Sequence, residues 1–204
     1  MLFTQGVTVL WLILAVLGLP ARPVSGTFRV RLDTSKGAIV IEVRRDWAPN
    51  GAGRFYELVT AGYYDDNRFF RVHSQQWAQF GINGDPAVAN TWRTRTIADD
   101  PPKQSNVRGT VAFAFAVTHG RATQVYIALT DLSAVQDAQG FVPFGRVVEG
   151  MDVADALNAE YGETSGSGIR AGKQQPLFDG GNAYLDRAFP RLDRVVRARV
   201  ISEG

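Results

Sequence analysis

The chain has 204 residues, of which 45% are hydrophobic and 21% charged, a composition typical of one globular domain, with two domains as the alternative. Its 22 basic residues nearly balance its 20 acidic ones, and no dense lysine and arginine block indicates a nucleic-acid-binding surface. The chain has no cysteine and only two histidines, which excludes thiol nucleophiles, disulfides and zinc–thiolate sites and disfavours a multi-histidine metal site. We therefore expect a function that uses no metal and no cofactor.

The first segment of the chain has the pattern of an export signal. Residues 7–19 form an apolar run that is shorter than the ~20 residues needed to span a bilayer, and the small residues Val24 and Gly26 suit a cleavage site. We predict a signal peptide or N-terminal anchor over residues 1–26 and one domain over 27–204. The protein is then expected to be exported, to a periplasm, to the outside or to a secretory lumen. A buried N-terminal strand or helix is the alternative.

The domain begins with two predicted strands and a predicted helix. Residues 27–46 contain two alternating apolar runs joined at the turn sequence TSKG. Residues 48–64 have an apolar stripe with helical spacing, and we expect Asn50 to cap this helix and Gly62 to end it.

The rest of the chain is dominated by further strand patterns. Short apolar or alternating segments predict six more strands, at residues 68–72, 76–81, 108–117, 122–132, 140–150 and 191–202. A second helix is predicted over residues 151–161, and residues 84–108 and 162–182 are predicted to be loops. Eight strands and two helices favour a mainly β fold, a closed eight-stranded antiparallel barrel capped by the helices. An open α+β sheet is the alternative.

Long polar side chains occur on three of the predicted strands. Residues two apart on a strand share a face, which pairs each polar residue with an aromatic one: Arg71 with Phe69, Gln79 with Trp77, and Gln124 with Tyr126. An apolar groove with a few hydrogen-bonding groups is typical of a ligand site. Periodicity alone gives equal weight to the alternative, in which these polar groups face solvent at the sheet margin.

Three segments in this order carry a resemblance to a known family. FFRVHSQQWAQFGINGDP, RGTVAFAFAVTHGRATQVYIAL and GFVPFGRVVEGMDVADAL resemble the cyclophilin-type peptidyl-prolyl isomerases, and the match extends from about Phe28 to Ile201. FGINGDP and GNAYLDRAFPRLD are similar to bacterial-type members. The resemblance implies an eight-stranded barrel with a proline-binding groove on its outer surface.

The resemblance also implies the site residues. The catalytic arginine of the family falls on Arg71, and the glutamine of the next strand, also assigned a catalytic role, falls on Gln79. The positions expected to bind the substrate are Gln76, Trp77, Ala114, Phe115, Ala116, Gln124, Tyr126, Gln136 and Phe141.

Several of these positions depart from the family pattern. Gln76 stands where the family has a pocket phenylalanine, Phe70 where it has a histidine, and Phe141 where it has the histidine that closes the pocket. Val135 and Gln136 replace a tryptophan–leucine pair, and the usual Gly-Pro-Asn turn is here VTHG. We expect an altered cup for the proline ring, rebuilt from Phe141, Phe144, Trp77 and Tyr126.

The chemistry implied by the resemblance suits a chain without cysteine. Rotation about an X–Pro bond breaks amide resonance but no covalent bond, so it requires only preferential binding of the twisted amide. We predict a prolyl isomerase that assists folding of exported proteins, with weakened activity, that acts as a monomer on Pro-containing segments. A non-catalytic peptide-binding or holdase module on the same barrel is the alternative. Nucleic-acid or membrane binding by the arginine-rich last strand has little support.

Overall fold

The computed structural model describes residues 26–164 and 173–204, and within them the chain forms nine strand segments and five helices. The strands are β1 Thr27–Thr34, β2 Gly37–Arg44, β3 Asn67–Arg68, β4 Arg71–His73, β5 Trp77–Phe80, β6 Thr110–Phe113, β7 Val125–Ala128, β8 Pro143–Glu149 and β9 Arg194–Glu203. The helices are α1 Pro49–Thr60, α2 Pro86–Arg93, α3 Ser133–Gln136, α4 Met151–Asp155 and α5 Gln175–Ala188. No helix in this part of the chain is long and apolar enough to cross a membrane. The predicted leader falls almost wholly on residues 1–25, outside the described ranges.

The strands form one curled antiparallel sheet with the order β3-β9-β1-β2-β8-β6-β7-β5-β4. The two segments at opposite ends of this order, β3 and β4, are consecutive in the chain and are separated only by Phe69 and Phe70. One interrupted strand therefore connects the two edges of the sheet, and the predicted mainly β barrel is confirmed. The count is nine instead of eight because this strand is broken.

The break between β3 and β4 changes which residues share a face. Phe69 lies in the barrel core with Val72, whereas Phe70 lies outside the barrel and Arg71 faces the outer cavity described below. The prediction that Arg71 and Phe69 share a face is therefore wrong. Strict period-two alternation holds only in an unbroken strand.

The barrel interior is filled by apolar side chains from every sheet segment except β3. Val30, Ile41, Phe80, Ile127 and other residues of this core are fully buried. Burial on this scale is the main stabilising contribution to such a fold.

Helix α1 packs against this core through Phe55, which contacts Tyr64 and Phe144. Its N-cap is Ala48, which provides no side-chain hydrogen bond, so the prediction that Asn50 caps the helix is wrong. The carboxylate of Asp100 instead accepts hydrogen bonds from the backbone N–H groups of Asn50, at 3.0 Å, and Gly51, at 2.8 Å. A residue 50 positions away in the chain thus satisfies donors that the helix leaves free.

Helices α2 and α5 lie in segments that the sequence pattern predicted to be partly or wholly loop. Asp85 caps α2 by accepting a hydrogen bond from the N–H of Ala87 at 2.8 Å. Gly181 interrupts α5 with non-helical φ and ψ angles of 51° and −145°. The two helices cover a second apolar cluster outside the barrel, made of Phe70, Ile82, Ala89, Leu177, Phe178 and Leu185. The loop predictions for residues 84–108 and 162–182 are wrong over these helices, and the helix predicted for 151–161 is limited to α4.

Candidate active site

A cavity of about 910 Å³ lies on the outer face of strands β4, β5, β6 and β7. The opposite faces of these strands carry Val72, Ala78, Val111 and Ile127 into the barrel core. All eleven residues predicted from the resemblance line this one cavity: Arg71, Gln76, Trp77, Gln79, Ala114, Phe115, Ala116, Gln124, Tyr126, Gln136 and Phe141. Arg71 is only 18% exposed and Gln79 is buried, so these two side chains do not extend into bulk solvent.

A row of hydrogen-bonded polar side chains crosses the floor of the cavity. Arg71 and Gln79 are cross-strand partners, and Nη1 of Arg71 donates to Oε1 of Gln79 at 3.0 Å. The Gln79 side-chain amide, which is buried, donates to Oε1 of Gln124 at 2.9 Å. Gln124 and Gln174 exchange two hydrogen bonds between their amide groups, at 2.7 and 3.0 Å. Each member of the row therefore fixes the orientation of the next.

The guanidinium of Arg71 is held from three directions. Besides the bond to Gln79, Nη2 donates to Oε1 of Glu163 at 2.5 Å, and the guanidinium carbon lies 4.7 Å from the centre of the Trp77 ring. Only 18% of the Arg71 side chain is exposed, and its buried Nε has no hydrogen-bond partner. A fixed guanidinium with an unsatisfied buried donor is suited to bind an acceptor on a ligand.

An aromatic wall faces this polar row. The ring of Phe141 lies 4.7 Å from that of Phe115 and 5.6 Å from that of Tyr126, measured between centroids. Leu132 and Trp77 pack with Phe141 and Tyr126 in a small apolar cluster that is separate from the barrel core. Aromatic and aliphatic groups arranged in this way form an apolar cup beside the hydrogen-bonding groups.

The loop that carries Phe141 is tied to the floor by a buried network. The hydroxyl of Tyr126 donates to Oδ1 of Asn106 at 2.6 Å, and Nδ2 of Asn106 donates to Asp137 and to the carbonyl of Phe141 at 2.7 and 2.8 Å. Burial, reinforced by the charge of Asp137, raises the pKa of Tyr126 well above its ordinary value, so this hydroxyl stays a donor.

A buried arginine supports the wall from behind. The guanidinium of Arg121 lies 4.1 Å from the centre of the Phe115 ring, donates to the carbonyl of Gly140 at 2.5 Å, and forms an ion pair with Asp99. Burial lowers the pKa of Arg121 from its ordinary value, although a guanidinium remains charged at physiological pH. Arg121 thus joins Phe115 to Gly140, the residue before Phe141.

The cavity also contains residues that sequence reasoning did not assign. Seven further residues line it: Gln75, Gly120, Thr130, Leu132, Val135, Gln139 and Gln174. Glu163, which binds Arg71, was not predicted either. One signal was available, because seven of the ten glutamines in the chain line this cavity. Phe144, expected in the cup, instead lies in the barrel core between Phe55 and Phe113, because β8 directs it inward.

No group of three or more histidine, cysteine, aspartate or glutamate side chains in residues 26–164 and 173–204 is arranged to hold a metal ion. Arg71, on the cavity floor, is paired with Glu163.

The fold and the cavity together define a β-barrel with an outer cavity, in which an arginine and glutamines lie beside an aromatic cup. A family model described as cyclophilin type peptidyl-prolyl cis-trans isomerase/CLD matches residues 29–177, and the chain belongs to this family. Among named relatives, the peptidyl-prolyl cis-trans isomerase cyp18 of Streptomyces antibioticus is 30% identical over 139 residues, covering 63% of this chain and 81% of the relative. Peptidyl-prolyl cis-trans isomerase A of Dickeya dadantii is 28% identical over 158 residues, covering 72% of this chain and 80% of the relative.

Solved structures show the same fold. A cyclophilin type peptidyl-prolyl cis-trans isomerase of Cryptosporidium parvum superposes with a TM-score of 0.62 at 17% identity, covering 87% of this chain and 99% of that one. The cyclophilin AquaCyp293 of Hirschia baltica has a TM-score of 0.56 at 17% identity, covering 87% and 75% of the two chains.

Proposed function

We propose that this protein catalyses cis/trans isomerisation of X–Pro bonds in extended polypeptide segments, with Arg71 as the catalytic donor and with turnover weakened by a polar position in the cup. The observation that carries the proposal is the Arg71 guanidinium, held by Gln79 and Glu163 at the floor of the cavity that contains the aromatic cup. Membership of the family supports proline-containing peptides as the substrate class.

The reaction requires a hydrogen-bond donor at the prolyl nitrogen of the X–Pro bond. When the X–Pro amide twists, its nitrogen becomes pyramidal and gains a lone pair, and a catalyst must bind this state better than either planar form. The remaining donors of Arg71 are fixed before the substrate arrives, so little reorganisation is needed at the moment of rotation. No nucleophile or proton transfer is required, because no covalent bond breaks.

The cup accounts for the proposed weakness. Phe115, Phe141, Tyr126 and Leu132 supply an apolar surface for the pyrrolidine ring, whereas Gln76 presents a half-buried polar side chain to the same space. An aromatic ring at that position would bury apolar surface with a contribution of about 1.5–3 kcal/mol. Without it, we expect kcat/KM about ten- to a hundredfold below that of a complete cup.

Exchange NMR with a tetrapeptide that contains an Ala–Pro bond tests the proposal. The domain of residues 27–204 should accelerate cis/trans exchange, Arg71→Ala should lower the acceleration by about 10- to 100-fold, and Arg146→Ala should leave it unchanged. Arg146 is a suitable control because it is exposed on β8, pairs with Glu42 and lies outside the cavity. Shifts in peptide signals without faster exchange would favour a peptide-binding module. An absence of any interaction would exclude both functions.

We further propose that the protein is exported and acts as a monomer. The apolar run of residues 7–19 and the small residues before position 27 support export. The residues proposed to act on the substrate, Arg71 and Gln79, lie on neighbouring strands of one chain, so the proposed reaction requires no second subunit. Sequencing of the mature N-terminus after expression in a secreting host tests the first proposal, and light scattering of the purified domain tests the second.

A further inference from the structure

Two residues that belong to neither the sheet nor the cup terminate the polar row of the cavity. Glu163, after α4, binds Arg71 at one end, and Gln174, before α5, binds Gln124 at the other. We infer that both are positioning residues for the proposed reaction: Glu163 fixes the guanidinium that acts in the transition state, and Gln174 fixes the amide that holds the peptide. The inference rests on the proposed isomerase function.

Glu163 restricts a side chain that is otherwise flexible. An arginine has several rotatable bonds, and a donor that must meet a developing lone pair is effective only when its orientation is set in advance. Gln79 accepts from Nη1, Glu163 accepts from Nη2, and the ring of Trp77 covers one side of the guanidinium. With the carboxylate removed, the bond to Gln79 would be the only hydrogen bond from residues 26–164 and 173–204 that holds the Arg71 side chain in this geometry.

Glu163 leaves Arg71 able to act on a substrate. A guanidinium has five N–H donors, and Gln79 and Glu163 each accept from one nitrogen. The Nε donor is buried and has no partner. A carboxylate that occupied the whole fork of the guanidinium would instead compete with the peptide. The observed geometry therefore favours positioning over inhibition.

Gln174 sets the orientation of the Gln124 amide and thereby the affinity for the peptide. Oε1 of Gln124 accepts from both Gln79 and Gln174, and Nε2 of Gln124 donates back to Gln174 at 2.7 Å. The amide of Gln124 is thus held in one of its two flipped orientations. A group that binds the peptide backbone contacts the planar and twisted states alike, so its loss raises KM and leaves kcat unchanged.

Substitutions at Glu163 and at Gln174 are expected to change different kinetic constants. With exchange NMR over a range of peptide concentrations, we expect Glu163→Gln to lower kcat about threefold and Glu163→Ala about tenfold, with KM changed by less than about twofold. We expect Gln174→Ala to raise KM about threefold with kcat unchanged. Glu149→Gln and Gln104→Ala are matched controls, because both residues are exposed and lie outside the cavity. Folding of each variant is checked by its thermal unfolding midpoint.

A second readout separates this inference from the proposed function. In the ¹⁵N spectrum of the wild type, the Nε–H signal of Arg71 should be sharp and shifted from the bulk of the arginine signals. It should stay so in Glu163→Gln and collapse into the bulk in Glu163→Ala. If the wild type turns over and both Glu163 variants have an unchanged or raised kcat, the role of Glu163 is overturned. An unchanged KM in Gln174→Ala would overturn the role of Gln174. If the wild type has no turnover, the proposed function fails, and the arginine signal alone decides whether Glu163 orders Arg71.

Discussion

Gln76 is the position where one substitution is expected to increase the activity of this protein. Its side chain is half-buried and lines the cavity. Its backbone is fixed, because its N–H donates to the carbonyl of His73 at 3.0 Å and its carbonyl accepts from Leu129 at 2.8 Å. The change Gln76→Phe therefore adds a ring to the cup and leaves the local chain in place.

The size of the gain follows from the apolar area that the ring would bury. Full burial of a phenylalanine side chain contributes about 1.5–3 kcal/mol, and the groove is open on one side, so we take the lower half of this range. The activation free energy measured from free enzyme and peptide then falls by about 1.5–2 kcal/mol, which corresponds to about a 10- to 30-fold increase in kcat/KM.

The assay is exchange NMR of the Ala–Pro tetrapeptide with the wild type and Gln76→Phe. Gln139→Phe is the matched control, because Gln139 also lines the cavity but is exposed at its rim. The control should change kcat/KM by less than about twofold, since a ring there buries little area against the peptide. Unchanged or lower activity of Gln76→Phe, in a variant with the wild-type unfolding midpoint, would refute the reasoning that Gln76 limits the cup.

Two further predictions concern the stability of the fold, at the N-terminus of α1 and in the loop that carries Phe141. Asp100→Ala removes the acceptor for the N–H groups of Asn50 and Gly51. We expect urea denaturation to show a loss of about 1–2 kcal/mol in the free energy of unfolding. A loss below about 0.3 kcal/mol would contradict this capping role. Burial raises the pKa of Asp137, but hydrogen bonds from Asn106 outweigh it and hold that pKa below its ordinary value. The stabilisation is therefore fully present above the unfolded pKa of about 3.9 and is lost as the pH falls through the folded pKa. Asp137→Asn should lower the thermal midpoint more at pH 7 than at about pH 2, and an equal decrease at both would contradict it.

The sheet and the cavity residues could be predicted because their signals are local. Alternation within short segments indicated the strands, and the motif around Arg71 and Gln79 indicated which strand positions to compare. The alternation failed at Phe69 and Phe70, where the strand is interrupted and consecutive rings enter two different apolar clusters. It also failed after Phe113, where β6 ends and Phe115 turns to the outer cavity. A sequence pattern cannot show such a break, because it depends on what packs outside the barrel.

The features that the sequence did not predict depend on contacts between distant parts of the chain. Glu163 and Gln174 lie 92 and 50 residues from their partners in the row, in segments with no strong periodicity. Helix α5 was missed because Gly181 divides it into two pieces that are too short to show a helical period. Asp100 replaced the expected cap of α1 for the same reason, since its role depends on a contact across 50 positions.

The most direct test of the central claim is the exchange rate of the peptide with Arg71→Lys beside the wild type. Lysine keeps the positive charge but lacks the planar fork that bonds to Gln79 and Glu163 and keeps further donors for the substrate. If a fixed guanidinium stabilises the twisted amide, kcat/KM should fall at least about tenfold while the thermal unfolding midpoint is retained. Wild-type exchange rates in Arg71→Lys would contradict the claim, because they would show that any cation at this position is sufficient.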